Sequence, residues 1–218
     1  MSEIEDVLMV RKALYGFLYR MYLKEPPREL AEDLINKKLT VIEGTLSLYK
    51  DIEGGFYYLT KLVEKYNDVN TLHEQMVDEY TRLFVGPHAL PVEPYESSWI
   101  NGGRFGRSLL EVKKDYMNAG IVKSKDYPEP EDYIAFELKF MHYLCAEELS
   151  ADSNEQLLKC LNLQRDFLDQ HLLKWVPDFC DALYESELSD FYKGVAKITK
   201  SFLALEDATI TELLETLE

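Results

Sequence analysis

The stretch Glu79–Trp99, EYTRLFVGPHALPVEPYESSW, begins with helical spacing and then meets three prolines, Pro87, Pro91 and Pro94, with large apolar residues around them. Tyr80, Leu83 and Phe84 fall at i, i+3 and i+4, so on a helix they form one continuous apolar patch. Gly86-Pro87 ends that helix, because proline lacks the N–H and glycine accepts the turn that follows. The loop beyond holds no set of groups that reads as catalytic. Its prolines lower the entropy of the free loop and leave backbone carbonyls without neighbouring donors.

Outward from this stretch the 3.6-residue period dominates. Upstream, Thr71 with Glu74 reads as a capping box for the helix that carries Tyr80. A longer apolar-periodic run extends from about Thr40 to Lys65, with a bend expected at Gly54-Gly55. Pro27 suits the first turn of a short helix to about Asn36, and Ser2 with Glu5 caps a first helix to about Leu23. Downstream, Ser108 with Glu111 caps a helix ending near Gly120, and another runs from about Pro130 to Leu149. Ser153 with Gln156 opens a helix to about Trp175, and Pro177 starts a short one. Ser189 begins a helix to about Leu205, and Thr209 with Glu212 caps a last one. No useful strand alternation and no hairpin dipeptide occurs. The expected fold is an all-α, single-domain helical bundle over residues 1–218.

Composition narrows the function. The chain has 24 basic and 40 acidic residues, a net charge of −16. Such a surface repels phosphate backbones and anionic membranes and attracts basic polypeptide segments. The start, MSEIEDVLMVRKAL, lacks the charge order of a targeting peptide, and no run of about 18 apolar residues occurs, so no membrane insertion and a cytoplasmic location are expected. Cys145, Cys160 and Cys180 lie among apolar neighbours without a CxxC spacing, which reads as buried thiols. The residues three before His73, His88, His142 and His171 are Asn70, Val85, Lys139 and Leu168, so the Glu-x-x-His pattern of a di-iron bundle is absent. The cluster Gly102-Gly103-Arg104-Phe105-Gly106 follows no strand, and there is no phosphate loop. No metal, no cofactor and no catalysis are expected.

Two further segments add to the first. Glu129-Pro130-Glu131-Asp132-Tyr133 opens the Pro130 helix, where the helix dipole favours acids; Asp132 and Tyr133 would sit together at a rim. Phe167–Pro177, FLDQHLLKWVP, carries His171 and Trp175 at i and i+4, a packed structural pair. Two readings of the Tyr80–Phe84 patch stand at this point. It is core beneath a covering loop, or it is a groove for an extended or helical peptide with acids for the peptide's basic end.

Taken together, EYTRLFVGP with PYESSW, EPEDYIAFELKFMHYL, and FLDQHLLKWVPDF resemble the motifs of the TorD/DmsD/NarJ family of redox enzyme maturation chaperones. The resemblance implies an all-helical cytoplasmic chaperone without catalysis of its own. Its partners would be the catalytic subunit of a molybdopterin-containing oxidoreductase and that subunit's twin-arginine signal peptide, export being delayed until the cofactor is inserted. A variant within the family binds the apo catalytic subunit independently of a signal peptide. Carried over by motif, the binding residues are Tyr80, Leu83 and Phe84 at the helix end, Pro87, Pro94, Tyr95, Glu96 and Ser97 in the loop, and Glu129, Asp132 and Tyr133 at the other helix start. Asp132, helped by Glu129 and Glu131, would take the arginines. The family usually has histidine at the position of Tyr133; tyrosine donates a hydrogen bond and stacks but does not become cationic near neutral pH. Family members also form homodimers by swapping helices, for which Ile121–Pro130 could serve as hinge.

Overall fold

The computed structural model describes residues 3–36, 38, 52–86 and 90–217. The helices are α1 (Glu3–Leu23), α2 (Arg28–Ile35), α3 (Glu53–Lys65), α4 (Val69–Tyr80), α5 (Glu96–Ile100), α6 (Arg107–Asn118), α7 (Ile134–Leu149), α8 (Asn154–Phe167), α9 (Leu173–Glu185) and α10 (Phe191–Leu217). A π turn, Thr81–Val85, extends α4, and another, Leu168–Leu172, joins α8 to α9. Among the described residues no strand forms, and the isolated antiparallel bridge Tyr95–Tyr133 is the one extended pairing. The all-helical architecture expected from the periodicity is what forms.

α7 occupies the middle because it is apolar nearly all round: Ile134, Ala135, Leu138, Met141 and Cys145 are fully buried. A helix of that pattern is enclosed on most of its surface, and only the narrow stripe of Lys139, Tyr143 and Glu147 reaches water. α1 lies along it, α8 packs on its other side, and α10 gathers α3, α8 and α9. Arg11 of α1 crosses this interior. Its guanidinium donates to Glu206 of α10 at 2.9 Å, Glu148 of α7 at 2.8 Å and Gln164 of α8 at 2.5 Å, with Arg11 and both carboxylates buried.

Several helix boundaries differ from the sequence expectation, each for a local reason. α4 is capped by Asp68, which accepts from the Thr71 N–H at 3.0 Å, so Thr71 sits inside the helix. α6 is capped from outside its own segment: Asn101 Oδ1 accepts from the Ser108 N–H and hydroxyl. α7 begins at Ile134 after a turn, four residues later than Pro130 suggests. Ser153 and Ser189 do cap, accepting from Gln156 and Tyr192 N–H groups. Pro177 lies inside α9, just after the π turn that loosens the hydrogen-bond ladder ahead of it. α10 runs unbroken through Thr209, whose hydroxyl donates back to the Leu205 carbonyl, a bond that lets threonine sit within a helix.

Only α3 of the expected Thr40–Lys65 helix falls within the described residues; the remainder lies outside them. Gly55 serves contact: a Cβ there would meet Ile198 at 2.4 Å, and one at Gly194 would meet Leu59 at 2.7 Å. The two glycines let α3 and α10 approach closely. Cys145 and Cys180 are buried as expected, whereas Cys160 is half-exposed at the edge of α8.

Candidate functional site

The three motif segments meet. Pro94 accepts from the Ile134 N–H at 3.0 Å and the Asp132 carbonyl accepts from the Glu96 N–H at 3.0 Å, so the loop runs antiparallel to the entry of α7 for one bridge. Asp132 Oδ2 then accepts from the Ser97 N–H at 3.0 Å. That bond satisfies one of the free amides at the start of α5, the role a helix cap normally fills, supplied here from another segment.

Glu96 turns the other way, toward the third motif. Its carboxylate meets His171 Nδ1 at 2.9 Å, and His171 Nε2 meets Asp115 of α6 at 3.1 Å. Burial would lower the His171 pKa, but the hydrogen bonds and charges of Glu96 and Asp115 outweigh it and hold the imidazole above its ordinary value. With a carboxylate on each nitrogen, the geometry favours the doubly donating imidazolium form. Trp175 donates from Nε1 to Glu137 of α7 at 3.1 Å. Burial, with the Glu96 charge next, pushes the Glu137 carboxyl well up, favouring its neutral form. His171 and Trp175 are indeed packed, and each also holds a buried acid.

Beside this polar junction runs an aromatic seam. Phe84 on the π turn contacts the rings of Tyr192 (5.1 Å), Tyr80 (5.5 Å) and Tyr22 (6.0 Å). The Tyr80 phenol faces Tyr133, and Tyr133 lies 5.5 Å from Tyr95. Burial raises the pKa of Tyr80 and of Tyr133, so both stay neutral donors. The Tyr133 hydroxyl donates to the Tyr22 carbonyl at the end of α1, and the Tyr95 hydroxyl donates to Glu129. Arg104 covers the Tyr95 ring at 4.2 Å and pairs with Glu93.

The sequence-predicted residues are thus neighbours, but most do not reach solvent. Leu83, Ser97 and Asp132 are fully buried; Tyr80, Pro94, Tyr95, Glu96 and Tyr133 are buried as well. Phe84 and Glu129 are half-buried. Pro87 lies outside the described residues. Asp132 and Tyr133 are therefore not at a rim. The reason is local: the bridge to the loop turns both inward, where Asp132 caps α5 and Tyr133 reaches α1. What opens to solvent at the seam is Phe84, the 58%-exposed Val85 next to it, and Glu129, whose charge acts on the Tyr80 phenol.

Three participants were not singled out from the sequence. Glu79, next to Tyr80, is fully buried and accepts from the Phe191 N–H at 2.9 Å, the Asp190 N–H at 3.1 Å and the Ser189 hydroxyl, capping α10. Glu137 carried a signal, a lone acid inside the apolar run Tyr133–Phe140. Asp115 carried none, being one charge among several on α6.

The motif segments of the junction span Glu79 to Pro177, and the family model described as "Nitrate reductase delta subunit" matches residues 53–181, enclosing all of them. The chain belongs to that family, the TorD/NarJ family of redox enzyme maturation chaperones. Over 217 residues it is 22% identical to the chaperone protein TorD of Vibrio cholerae serotype O1 (strain ATCC 39541), covering 99% of this chain and 98% of the relative. A Haemophilus influenzae (strain Rd) protein named as a Tat proofreading chaperone, DmsD, is 32% identical over 143 residues, 65% of this chain and 62% of its own. A solved Archaeoglobus fulgidus structure, named as a redox enzyme maturation protein, matches 92% of this chain and 93% of its own at 22% identity with a TM-score of 0.46. In this chain the Tyr133 phenol, just ahead of α7, ties that helix start to α1. No described helix is long and apolar enough to cross a membrane.

Proposed function

We propose that this family member is a cytoplasmic chaperone that binds the twin-arginine signal peptide, the apo-form, or both, of a molybdopterin oxidoreductase catalytic subunit. It delays export until the cofactor is inserted and converts no substrate itself. The observation that carries the reading is the seam, in which Phe84 opens to solvent above a floor of Tyr80, Tyr22 and Tyr192 and beside Glu129. A signal peptide offers adjacent guanidinium groups and then an apolar stretch; carboxylates favour the first and an aromatic floor the second.

The roles divide by exposure. Phe84 and Glu129, with Val85, touch the client. Asp132, Glu96, Ser97, Pro94, Tyr95, Tyr133, Tyr80 and Leu83 hold the loop and the floor in place. Calorimetric titration with a synthetic peptide carrying an Arg-Arg pair and a following apolar stretch tests this. Phe84→Ala with Glu129→Gln should raise Kd by roughly tenfold or more, the loss typical of an interface anchor. An unchanged Kd in that double variant sinks the site assignment.

The family model's description favours a second reading, an assembly factor that binds an apo catalytic subunit regardless of any signal peptide. It expects negligible peptide binding and strong capture of the apo-subunit lacking its leader. Parallel pull-downs with the two baits separate the readings.

A further inference from the structure

We propose that α6 and the groove beside it bind an acidic, amphipathic segment of a partner polypeptide, through contacts distinct from the Phe84 seam. The proposal does not rest on the signal-peptide reading.

Charge is the first observation. Residues 101–140 contain seven Lys/Arg and seven Asp/Glu, so the whole net charge of −16 resides in the rest of the chain. Two of those seven acids, Asp132 and Glu137, are fully buried. Three others are engaged: Asp115 with His171, Glu111 with Arg107, and Glu131 with Lys113. Lys123 donates to the Tyr127 and Glu129 carbonyls, and its ammonium lies 5.4 Å from the Phe136 ring centroid; Lys139 lies 5.2 Å from that of Tyr127. Among the described residues, neither lysine has a carboxylate partner. Arg104, Arg107 and Lys113 are themselves paired, which leaves Lys114, Lys123, Lys125 and Lys139 against Asp126 and Glu129, an excess of cations on a strongly acidic molecule.

Apolar exposure is the second. Leu110 (66% exposed) and Met117 (70%) stand seven residues apart on one face of α6, with exposed Lys114 between them. After the left-handed turn at Gly120, Val122 is 84% exposed. Scattered single apolar residues are ordinary; what marks this surface is that exposed Val122 borders a concave apolar site. Beside it lies a groove of about 300 Å³, walled by Tyr116, Val122, Tyr127 and Phe136 and flanked by Lys123 and Lys139. It has the size and lining to take one large apolar side chain while the two ammonium groups meet neighbouring carboxylates.

The occupant follows from that pairing. A basic segment would be repelled locally and would leave both lysines unmatched. An anionic bilayer would meet the remaining −16 and has no protruding side chain for a concave pocket. An acidic segment with one aliphatic or aromatic anchor per turn satisfies both features.

Fluorescence anisotropy with a fluorescein-labelled synthetic peptide of about five helical turns, Leu and Trp on one face and Glu on the other, tests the inference. Wild type should bind it, more weakly as salt rises from about 0.05 M to about 0.5 M. The Val122→Glu/Lys139→Glu variant, changed only at exposed positions and checked for an unaltered melting curve, should bind at least tenfold more weakly. So should a matched peptide with Lys replacing Glu on wild type. The inference is overturned if wild type does not bind, if the variant binds equally, or if the Lys peptide binds equally. It is also overturned if phosphatidylglycerol vesicles are bound where the Glu peptide is not, or if the variant merely dissociates a dimer that does not take the peptide. A Phe84→Ala variant should bind the Glu peptide normally, which keeps this result separate from the seam.

Discussion

His171 is the residue whose chemistry the rest of the junction depends on, since its two nitrogens join the Glu96 and Asp115 carboxylates. Glu96, Asp115 and Asp132 are the charged neighbours, and Glu137, whose carboxyl burial and the Glu96 charge push up, is the further titratable group at this point. Because the folded-state pKa of His171 lies above the ordinary imidazole value, the folded chain binds the proton more tightly than the unfolded chain does. That contribution to stability is fully present below about pH 6.5 and is lost as pH rises through the folded pKa. Glu137 acts in the same direction, so a difference measurement is needed. Urea unfolding of wild type and His171→Gln at about pH 6 and about pH 9 should show the wild-type advantage shrinking at the higher pH. An advantage that is constant or grows with pH removes the cation from the junction. A second prediction concerns Phe105, an exposed phenylalanine at φ 66°, in the left-handed region. Since that conformation suits glycine and its ring is 72% exposed, Phe105→Gly should raise stability by about 0.5–1 kcal/mol, read from the denaturation midpoint.

At the scale of elements, the recurring device is a cap supplied by a different segment. Asp132 caps α5, Asn101 caps α6, and Glu79 caps α10. Sequence reading finds caps that act on their own helix, as with Ser153 and Ser189, because donor and acceptor are three residues apart. It does not find Glu79 acting 112 residues away. The same limit explains the candidate site. The motif spacing picked out segments that do lie together, yet helix-start logic put Asp132 and Tyr133 at a rim, because the bridge that turns them inward exists only once the loop is folded. Glu79→Ala should cost about 2–3 kcal/mol, the loss of charge-assisted bonds to buried amides. Native-state hydrogen exchange at Asp190 and Phe191 should rise while that of α7 amides holds. If both rise together, the effect is global and not a lost cap.

Across the whole molecule, helical class and most of the core were legible, because an enclosed helix such as α7 declares itself by being apolar over most of its circumference. What joins the helices was less so. Arg11 reads in sequence as a polar interruption of α1, yet it sits among Glu206, Glu148 and Gln164 with no exposure at all. One cation faces two carboxylates here, and burial raises the Glu148 pKa above its usual range even though Arg11 opposes that shift. Removing the arginine leaves both acids without a counter-charge, so Arg11→Met should destabilise the chain by about 3–5 kcal/mol. The acids of that variant will take up protons on folding; its stability should therefore be greatest at low pH and fall as pH rises above the unfolded carboxylate pKa of about 4.3. Replacing the charges together, as Arg11→Met/Glu148→Leu/Glu206→Leu, removes the uncompensated groups and should recover most of the loss. Denaturant unfolding of the three chains at about pH 5 and about pH 8 measures all of this. If the single variant is as stable as wild type at the higher pH, the cluster carries no net charge balance. If the triple variant is no better than the single one, its hydrogen-bond geometry, and not the charge, is what binds α1 to α7 and α10.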